Sequence, residues 1–210
     1  MSSTTDFYRD RYAHLGEGPG PEAEPTFGLR VGAALEAIGG SRQRILDFGC
    51  NIGAASTLLA KAGHQVVGVD ISESAIRLAR DKVPAATFEL IDSESRIPFP
   101  DRSFDVCFCS EVIEHLFDVK GAIREFHRLL AKGGLLLITT PYHGWIKNLL
   151  IITVDFDKHF DPAGGHIRFF SERSLTRFLQ GGGFTVERIR GIGRLWPIWK
   201  SMFVAARKVD

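Results

Sequence analysis

The stretch that most constrains the fold of this chain is RILDFGCNIGAAS, which runs from Arg44 to Ser56. It begins as a short apolar strand, turns between Gly49 and Gly53, and then opens a helix. A strand that feeds a glycine-bearing turn and a helix N-terminus brings free backbone N–H groups, and the positive end of the helix dipole, close to any anionic group held there. The stretch therefore predicts a nucleotide-type binding turn.

Strands and helices alternate along the rest of the chain in the pattern of an α/β protein. Apolar runs predict strands at 45–48, 65–69, 87–90, 104–109 and 135–140. Helices are predicted between them, except that a Pro-rich link with Pro98 and Pro100 joins the third strand to the fourth. A helix over 171–180 and strands at 184–189 and 202–206 complete the pattern. Strands of near-continuous apolar character belong in a parallel sheet with helices on both faces. The short link between the last two strands favours an antiparallel pair at the C-terminus, which makes seven strands in a mostly parallel sheet.

The length of the chain fits a single domain, 1–210, with two segments outside the regular alternation. Its 210 residues, 44% hydrophobic and 24% charged, have the composition of an ordinary globular protein. Residues 1–25 combine aromatic residues at helical spacing with a Gly/Pro-rich break, and predict an N-terminal arm or lid. Residues 142–170 mix aromatic residues, histidines and acids with no clean period, and predict a substrate-covering insertion over the strand ends.

Cysteine placement and charge bear on compartment and partners. Cys50, Cys107 and Cys109 fall in or beside predicted buried strands without metal-ligand spacing, and the N-terminus has no signal-peptide block. We therefore predict a cytoplasmic protein with no transmembrane segment. Residues 168–210 hold nine lysines and arginines against three acids, although the net charge is only +1. Such a basic third would suit an anionic substrate or a membrane surface, but we favour a solvated face of arginine-bearing elements.

An acid stands at the end of the second predicted strand, where GVD closes at Asp70, 17 residues beyond Gly53. A carboxylate at that strand tip is placed to accept hydrogen bonds from both hydroxyls of a ribose. The alternative is that Asp70 caps the following helix, but Ser72 already occupies the capping position. The ribose interpretation is therefore favoured.

These motifs together resemble those of class I S-adenosylmethionine-dependent methyltransferases. DFGCNIG followed by VVGVDIS is similar to their first two motifs, and further matches follow in order: Asp92, IPFPDRSFDVCFCSEVIEHL, GGLLLITTP and HIRFFSERSLTRFLQGGGF. Within the class, the chain looks most similar to ubiquinone-biosynthesis-type O-methyltransferases. The resemblance implies a Rossmann-like fold with S-adenosylmethionine as cofactor. Asn51 stands where the family usually has glycine, but asparagine tolerates the left-handed backbone that such a turn needs.

The resemblance also implies cofactor contacts, residue by residue. The methionine part would be surrounded by the first motif: Asp47, Gly49, Cys50, Asn51 and Gly53. The ribose and adenine would meet the tips of the second and third strands: Asp70 and Ile71, then Asp92 and Ser93. Ser110 and Glu111, at the tip of the fourth strand, would border the sulfonium and the substrate.

The stretch EVIEHL raises the question of a metal. Its spacing of i, i+3, i+4 predicts that Glu111, Glu114 and His115 share one face of a helix over 110–116. Two carboxylates and an imidazole could hold a divalent ion with open positions for substrate oxygens. EVIEHL also occurs widely in methyltransferases without metal, and we favour that interpretation, with these three residues as the metal candidates.

Histidines supply the candidate bases. A substrate hydroxyl must lose its proton as it attacks the methyl carbon, and histidine is suited to accept it near neutral pH. The candidates are His115, His143 and His166. Each of them taken singly is more often structural than catalytic.

The sequence therefore predicts methyl transfer from S-adenosylmethionine to a small-molecule or lipid-like acceptor, with a hydroxyl oxygen as the preferred site. One alternative is a catalytically silent S-adenosylmethionine-binding module. Another is a metal-dependent RNA ribose methyltransferase, although the near-neutral charge argues against RNA. We expect no DNA partner, and either a monomer or a homodimer.

Overall fold

The computed structural model describes residues 20–92, 96–154, 156–160 and 166–209, apart from the side chain of Lys158. The strands of this part are β1 (Arg44–Phe48), β2 (Gln65–Asp70), β3 (Thr87–Leu90), β4 (Phe104–Ser110), β5 (Leu130–Pro141), β6 (Phe184–Ile192) and β7 (Ser201–Lys208). The helices are α1 (Phe27–Ile38), α2 (Ala54–Lys61), α3 (Glu73–Lys82), α4 (Val119–Leu129), α5 (Trp145–Val154), α6 (Phe156–His159) and α7 (Glu172–Gly181). Short 3₁₀ turns lie at Pro21–Ala23 and Ile113–His115.

The strands form one sheet in the order β3-β2-β1-β4-β5-β7-β6. β1 pairs in parallel with β2 and β4, so that Leu46 lies opposite both Val67 and Cys107. β7 runs antiparallel to its two neighbours, β5 and β6. The predicted α/β, Rossmann-like, seven-stranded and mostly parallel sheet with a C-terminal antiparallel pair is confirmed. Because the strand order reverses between β1 and β4, a crevice opens outside the carboxyl ends of these strands.

Helices cover both faces of the sheet, as predicted, because successive strand residues point to opposite sides. Ile45, Val106 and Leu137 pack with α1 and α2, whereas Leu46, Cys107 and Leu136 pack with α4 and α7. Ser72 caps α3 as expected, since its hydroxyl accepts the Ala75 N–H at 3.2 Å. The predicted cysteine burial is also confirmed, and all three thiols are free.

The two segments outside the alternation are only partly described. Of the predicted arm over 1–25, residues 1–19 lie outside the described residues, and Pro21–Ala23 forms the 3₁₀ turn that leads into α1. The segment 142–170 contains α5 and α6, and its two ends meet in a bridge between Tyr142 and Phe170. Their roles as a lid and a substrate cover stay predictions. Within the described residues, no helix is long and apolar enough to cross a membrane.

Candidate functional site

A cavity of about 240 Å³ lies at the carboxyl end of β1, where the glycine turn begins. The Gly49 and Cys50 N–H groups both donate to the Val69 carbonyl, at 2.8 and 3.0 Å, which folds the turn back over β2. Gly49 has φ of 75°, and a Cβ there would collide with the side chain of Val112. Glycine is therefore required at this position by both backbone conformation and space.

Asn51 adopts the left-handed backbone that its position in the turn requires. Its φ is 50°, in the left-handed region that asparagine tolerates. Its side-chain oxygen accepts the Ile52 N–H at 2.7 Å, so the amide stabilises the turn locally. Gly53 also has a positive φ, of 79°, but it faces Phe88 and Val83 and does not line the cavity. Its role is to pack the turn against the sheet.

Two carboxylates line the donor end of the cavity. Asp70 accepts the N–H groups of Asn51 and Ser72, both at 2.9 Å, through its two oxygens. Asp47 accepts the Ser56 hydroxyl at 2.6 Å. Burial raises the pKa of Asp70, against the lowering effect of its backbone hydrogen bonds, and raises the pKa of Asp47 to about 6. Both acids are thus buried and are held by local donors.

The opposite wall comes from α1 and the residues before it, which the sequence motifs do not include. Arg30 is buried, and its guanidinium donates to Thr26 Oγ1 at 2.9 Å and to Glu24 Oε2 at 2.7 Å. Glu24 also accepts Lys200 Nζ at 2.6 Å. Burial alone would raise the pKa of Glu24, but the hydrogen bonds from Arg30 and Lys200 outweigh it and lower that pKa to about 2. Glu24 is therefore ionised and orients Arg30.

Glu111, at the end of β4, completes this wall. It has φ of 54°, and its Oε2 accepts the Ser201 hydroxyl at 3.2 Å. Its Oε1 and Arg30 Nε are both buried without a hydrogen-bond partner among the described residues. Burial raises the pKa of Glu111, while the nearby charge of Arg30 lowers it. Two residues that line the same cavity thus each carry a buried atom without a hydrogen-bond partner among the described residues: the donor Arg30 Nε and the acceptor Glu111 Oε1.

The predicted helix over 110–116 is wrong. The chain leaves β4 through the left-handed Glu111 and forms only the 3₁₀ turn Ile113–His115. Glu111 therefore lines the cavity, whereas Glu114 is buried with its Oε2 accepting the Thr140 hydroxyl at 3.0 Å. The two acids do not share a helical face. Ser110 also lines the cavity, with its hydroxyl 2.9 Å from that of Thr139.

A different trio has metal-ligand spacing. Potential ligand atoms of Glu114, His115 and His166 all lie within 4.8 Å of one another. His166 replaces Glu111 in the predicted set because the Ile167 and Arg168 N–H groups donate to the Glu114 carbonyl, which draws this segment onto the 3₁₀ turn. The Glu114 Oε1 atom is buried without a hydrogen-bond partner among the described residues.

His143 lies apart from the cavity. Its Nδ1 is 3.0 Å from Asn148 Oδ1, and its ring packs against His159 and Phe169 at centroid distances of 5.4 and 4.9 Å. Burial lowers its pKa to about 4. Its surroundings are therefore those of a neutral structural histidine.

The structure thus brings together most of the predicted site residues and separates a few. Those that line the cavity are Asp47, Gly49, Cys50, Asn51, Asp70, Ile71, Ser110, Glu111 and His115. Among the described residues, the predicted ones that do not line it are Gly53, Asp92, Glu114, His143 and His166. Asp92 is exposed, and the preceding Ile91 lines the cavity instead. Ser93 lies outside the described residues.

The sheet order with the antiparallel β7, the glycine turn and the acid at the tip of β2 are together those of a class I S-adenosylmethionine-dependent methyltransferase fold. A family model described as a methyltransferase domain matches residues 25–189, and the chain belongs to that family. S-adenosylmethionine is the methyl donor of this class of enzymes.

Named relatives agree with this family. A probable S-adenosylmethionine-dependent methyltransferase from Mycolicibacterium smegmatis is 30% identical over 148 residues, which cover 70% of this chain and 54% of the relative. A ubiquinone biosynthesis O-methyltransferase from Pseudomonas aeruginosa is 29% identical over 171 residues, which cover 78% of this chain and 74% of the relative. The chain spans about half the length of some of the curated relatives that it matches.

A solved structure is similar in fold. It is a 1,6-didemethyltoxoflavin-N1-methyltransferase from Burkholderia thailandensis, with bound 1,6-didemethyltoxoflavin and S-adenosylhomocysteine. The match has a TM-score of 0.72 at 20% identity and covers 97% of this chain and 88% of that one. At this identity the likeness concerns the fold alone.

Proposed function

We propose that this chain transfers a methyl group from S-adenosylmethionine to a small-molecule or lipid-like acceptor, at a hydroxyl oxygen. The observation that carries the proposal is the pair of unmatched atoms on the cavity wall, Arg30 Nε and Glu111 Oε1. The amino-acid end of the donor bears a carboxylate and an ammonium, which are the charges that complement these two groups. The chemistry of the cavity therefore fits a zwitterion at one end and a ribose at Asp70.

S-adenosylmethionine supplies a methyl group activated by a positively charged sulfur, so the protein has chiefly to orient the reactants and exclude water. In this proposal Arg30 binds the carboxylate and Glu111 binds the ammonium. Asp70 accepts hydrogen bonds from the ribose hydroxyls, and Ile71 and Ile91 pack on the adenine. The glycine turn lets the backbone approach the methionine part closely.

Isothermal titration with S-adenosylmethionine tests the donor site, and 5′-methylthioadenosine, which lacks the amino-acid end, is the matched ligand. Arg30→Met should weaken S-adenosylmethionine binding by about tenfold or more, because a charge-assisted hydrogen bond is lost. Binding of 5′-methylthioadenosine should change little. Failure of the folded wild-type chain to bind S-adenosylmethionine would refute the proposed function. Equal losses for the two ligands would instead refute the role of Arg30.

His115 is the favoured proton acceptor, because it lines the cavity and its ring lies 4.9 Å from that of His166. A base must reach the acceptor hydroxyl directly or through one water. His115→Ala should therefore lower S-adenosylhomocysteine production from a responsive acceptor by about a hundredfold. His143→Ala should leave the turnover of the folded fraction nearly unchanged, and the opposite ranking would reassign the base.

A second candidate function is metal-assisted methylation, which the trio Glu114, His115 and His166 favours. A carboxylate and two imidazoles suit a transition-metal ion such as Mn²⁺, which would hold acceptor oxygens and lower their pKa. Electron paramagnetic resonance of added Mn²⁺ tests this candidate without any need for turnover. His166→Ala should abolish a bound signal while Glu111→Gln retains it. An unchanged free-ion spectrum with the wild-type chain would eliminate Mn²⁺ at this trio, and with it a Mn²⁺-dependent RNA ribose methyltransferase.

A further inference from the structure

Helix α5 has an inverted distribution of polarity. Its buried residue is Lys147, whose ammonium donates to the Lys200 carbonyl at 3.2 Å. Its outward residues are apolar, with Trp145, Leu149 and Ile152 exposed by 77, 56 and 54%. These three positions follow the i, i+4, i+7 spacing of a single helical stripe. A surface helix of a water-soluble domain normally shows the reverse arrangement.

The outward face of α5 also offers few hydrogen-bonding groups. The one hydroxyl there, that of Thr153, donates back to the carbonyls of Leu149 and Leu150 at 3.1 and 2.8 Å. A protein–protein interface typically carries about one hydrogen bond per 100–200 Å² and needs partners for its polar groups. A face whose hydroxyl is already satisfied by its own helix suits an apolar medium better.

A second exposed apolar element lies beside α5, in the loop between β6 and β7. Leu195 and Trp196 are 85 and 67% exposed, and the exposed Arg194 precedes them. The Lys147–Lys200 hydrogen bond and the packing of Tyr142 on Trp199, at 5.0 Å, hold this loop against the start of α5. Residues 194–196 are called the loop tip below.

The apolar exposure is concentrated at one end of the molecule. The described large apolar residues that are exposed lie mostly after the carboxyl ends of β4 and β5, or in the loop tip; those outside α5 and the tip include Phe117, Phe156 and Phe169. The donor cavity opens at the same end, next to Ser110 and Glu111. Water-soluble monomers rarely expose contiguous apolar patches larger than a few hundred Å² without a binding role.

We propose that α5 and the loop tip form a membrane-contact surface, through which the protein binds an anionic lipid bilayer. Tryptophan prefers the level of the lipid headgroups, and the aliphatic side chains of α5 would enter the acyl boundary. Arg194, beside Leu195 and Trp196, supplies the positive charge that attracts anionic headgroups. The exposed Asp157 on α6 opposes this attraction, so the electrostatic contact is assigned to the loop tip. The proposal does not depend on methyl transfer.

Flotation of the full chain with vesicles tests the proposal. The vesicles are phosphatidylcholine alone, or equal parts phosphatidylcholine and phosphatidylglycerol. The wild-type chain should float with the anionic vesicles, and the double variant Leu195→Ser/Trp196→Ser should bind more weakly by on the order of tenfold. Arg194→Glu should weaken binding by about fivefold and reduce its dependence on salt.

Leu58→Ser on α2 is the matched control, because Leu58 is also an exposed leucine but lies outside both α5 and the loop tip. It should float like the wild type, and circular dichroism melting verifies that all variants are folded. Absence of wild-type flotation with either vesicle would overturn the proposal. A dimer in solution that Trp145→Ser dissociates, together with unaltered vesicle binding, would also overturn it and would assign the surface to a second copy of the chain.

Discussion

The proposed donor side and the proposed acceptor side of this molecule are built in different ways. On the donor side, the groups at the glycine turn and at the tip of β2 are fixed by backbone: the Gly49 and Cys50 N–H groups bond to the Val69 carbonyl, and Asp70 accepts two further N–H groups. On the acceptor side, side chains from distant segments meet each other. His166 reaches His115, and His143 packs with His159.

A site held by backbone depends on the fold, whereas a site made of side chains depends on the particular sequence. A turn held by main-chain hydrogen bonds tolerates side-chain changes, such as Asn51 in place of glycine, as long as φ can be positive. A site assembled from loop side chains changes its chemistry with each substitution. The predictions below test whether the donor side is as rigid, and the acceptor side as particular, as this contrast requires.

Removal of the carboxylate at the tip of β2 should have the largest effect. Asp70→Ala takes away two acceptors for the ribose hydroxyls, and also the acceptors of the Asn51 and Ser72 N–H groups. Hydrogen bonds to a charged group contribute about 1.5–3 kcal/mol each, so S-adenosylmethionine affinity should fall by a hundredfold or more. Isothermal titration measures this loss directly.

Asp92→Ala is the matched control for Asp70→Ala. Asp92 is exposed and does not line the cavity, so its variant should bind S-adenosylmethionine within about twofold of the wild type. A loss of S-adenosylmethionine affinity comparable to that of Asp70→Ala would instead support the contact between Asp92 and the adenine that the sequence motif implies. It would also show that the donor side is less rigid than its backbone hydrogen bonds suggest.

The sequence predicts the donor side well, because its signals are local. A strand, a glycine turn and an acid at the next strand tip follow one another within 27 residues, from Arg44 to Asp70. It misses Arg30, because an arginine inside a helix is ordinarily read as exposed. Leu29 is 55% exposed while Arg30 is buried, so the burial of these two neighbouring residues is the reverse of what their polarity indicates. The ion pair with Glu24 and the hydrogen bond to Thr26 offset the cost of burying this charge.

The acceptor side is harder to predict from the sequence because its contacts join distant residues. The spacing of EVIEHL predicts a helical face, but the left-handed Glu111 breaks the helix before it begins. The third member of the trio, His166, lies 51 residues beyond His115, and no local period connects them. The inverted polarity of α5 is visible in the sequence as WIKNLLIITV, but only the fold shows that the lysine faces inward.

Asp47→Asn should stabilise the protein while it weakens donor binding. The pKa of Asp47 is raised from 3.8 to about 6, mainly by burial, so ionisation of the folded state opposes folding. As the pH rises from 3.8 to about 6, the folded state retains a proton that the unfolded state has lost, and wild-type stability falls. Above that window the variant should be more stable by at most about 3 kcal/mol.

Chemical denaturation across that pH window measures the effect of Asp47→Asn. The Ser56 hydroxyl can still donate to the asparagine oxygen, so the local geometry has a partner. Ser56→Ala is the companion variant, which should destabilise the protein at every pH by removing the hydrogen bond. A stability difference between Asp47→Asn and wild type that does not change with pH would show that Asp47 titrates normally.

His143→Ala should separate a structural histidine from a catalytic one. It removes the Asn148 hydrogen bond and the packing against His159 and Phe169, and should destabilise the protein by about 2 kcal/mol. Burial lowers the pKa of His143 from 6.5 to about 4. The wild type should therefore lose stability as the pH falls from 6.5 to about 4, because in this range His143 binds a proton in the unfolded state but not in the folded state. Thermal melting of both proteins measures the difference, which should shrink in acid.

Lys147→Met should have the smallest effect on the free energy of unfolding. The sign of that effect tests whether the inverted polarity of α5 serves function rather than stability. Burial lowers the pKa of Lys147 from 10.5 to about 8, so the folded state carries an unfavourable cation at neutral pH. Methionine fills a similar volume without the charge, and should stabilise the protein by about 1 kcal/mol despite loss of the Lys200 hydrogen bond.

As the pH rises above about 8, the folded wild type releases its proton while the unfolded chain keeps it, so wild-type stability increases and the advantage of the variant shrinks. Denaturation at neutral and at alkaline pH measures both trends. A variant less stable than wild type at neutral pH would show that Lys147 holds α5 in place, and that the lysine faces inward for stability alone.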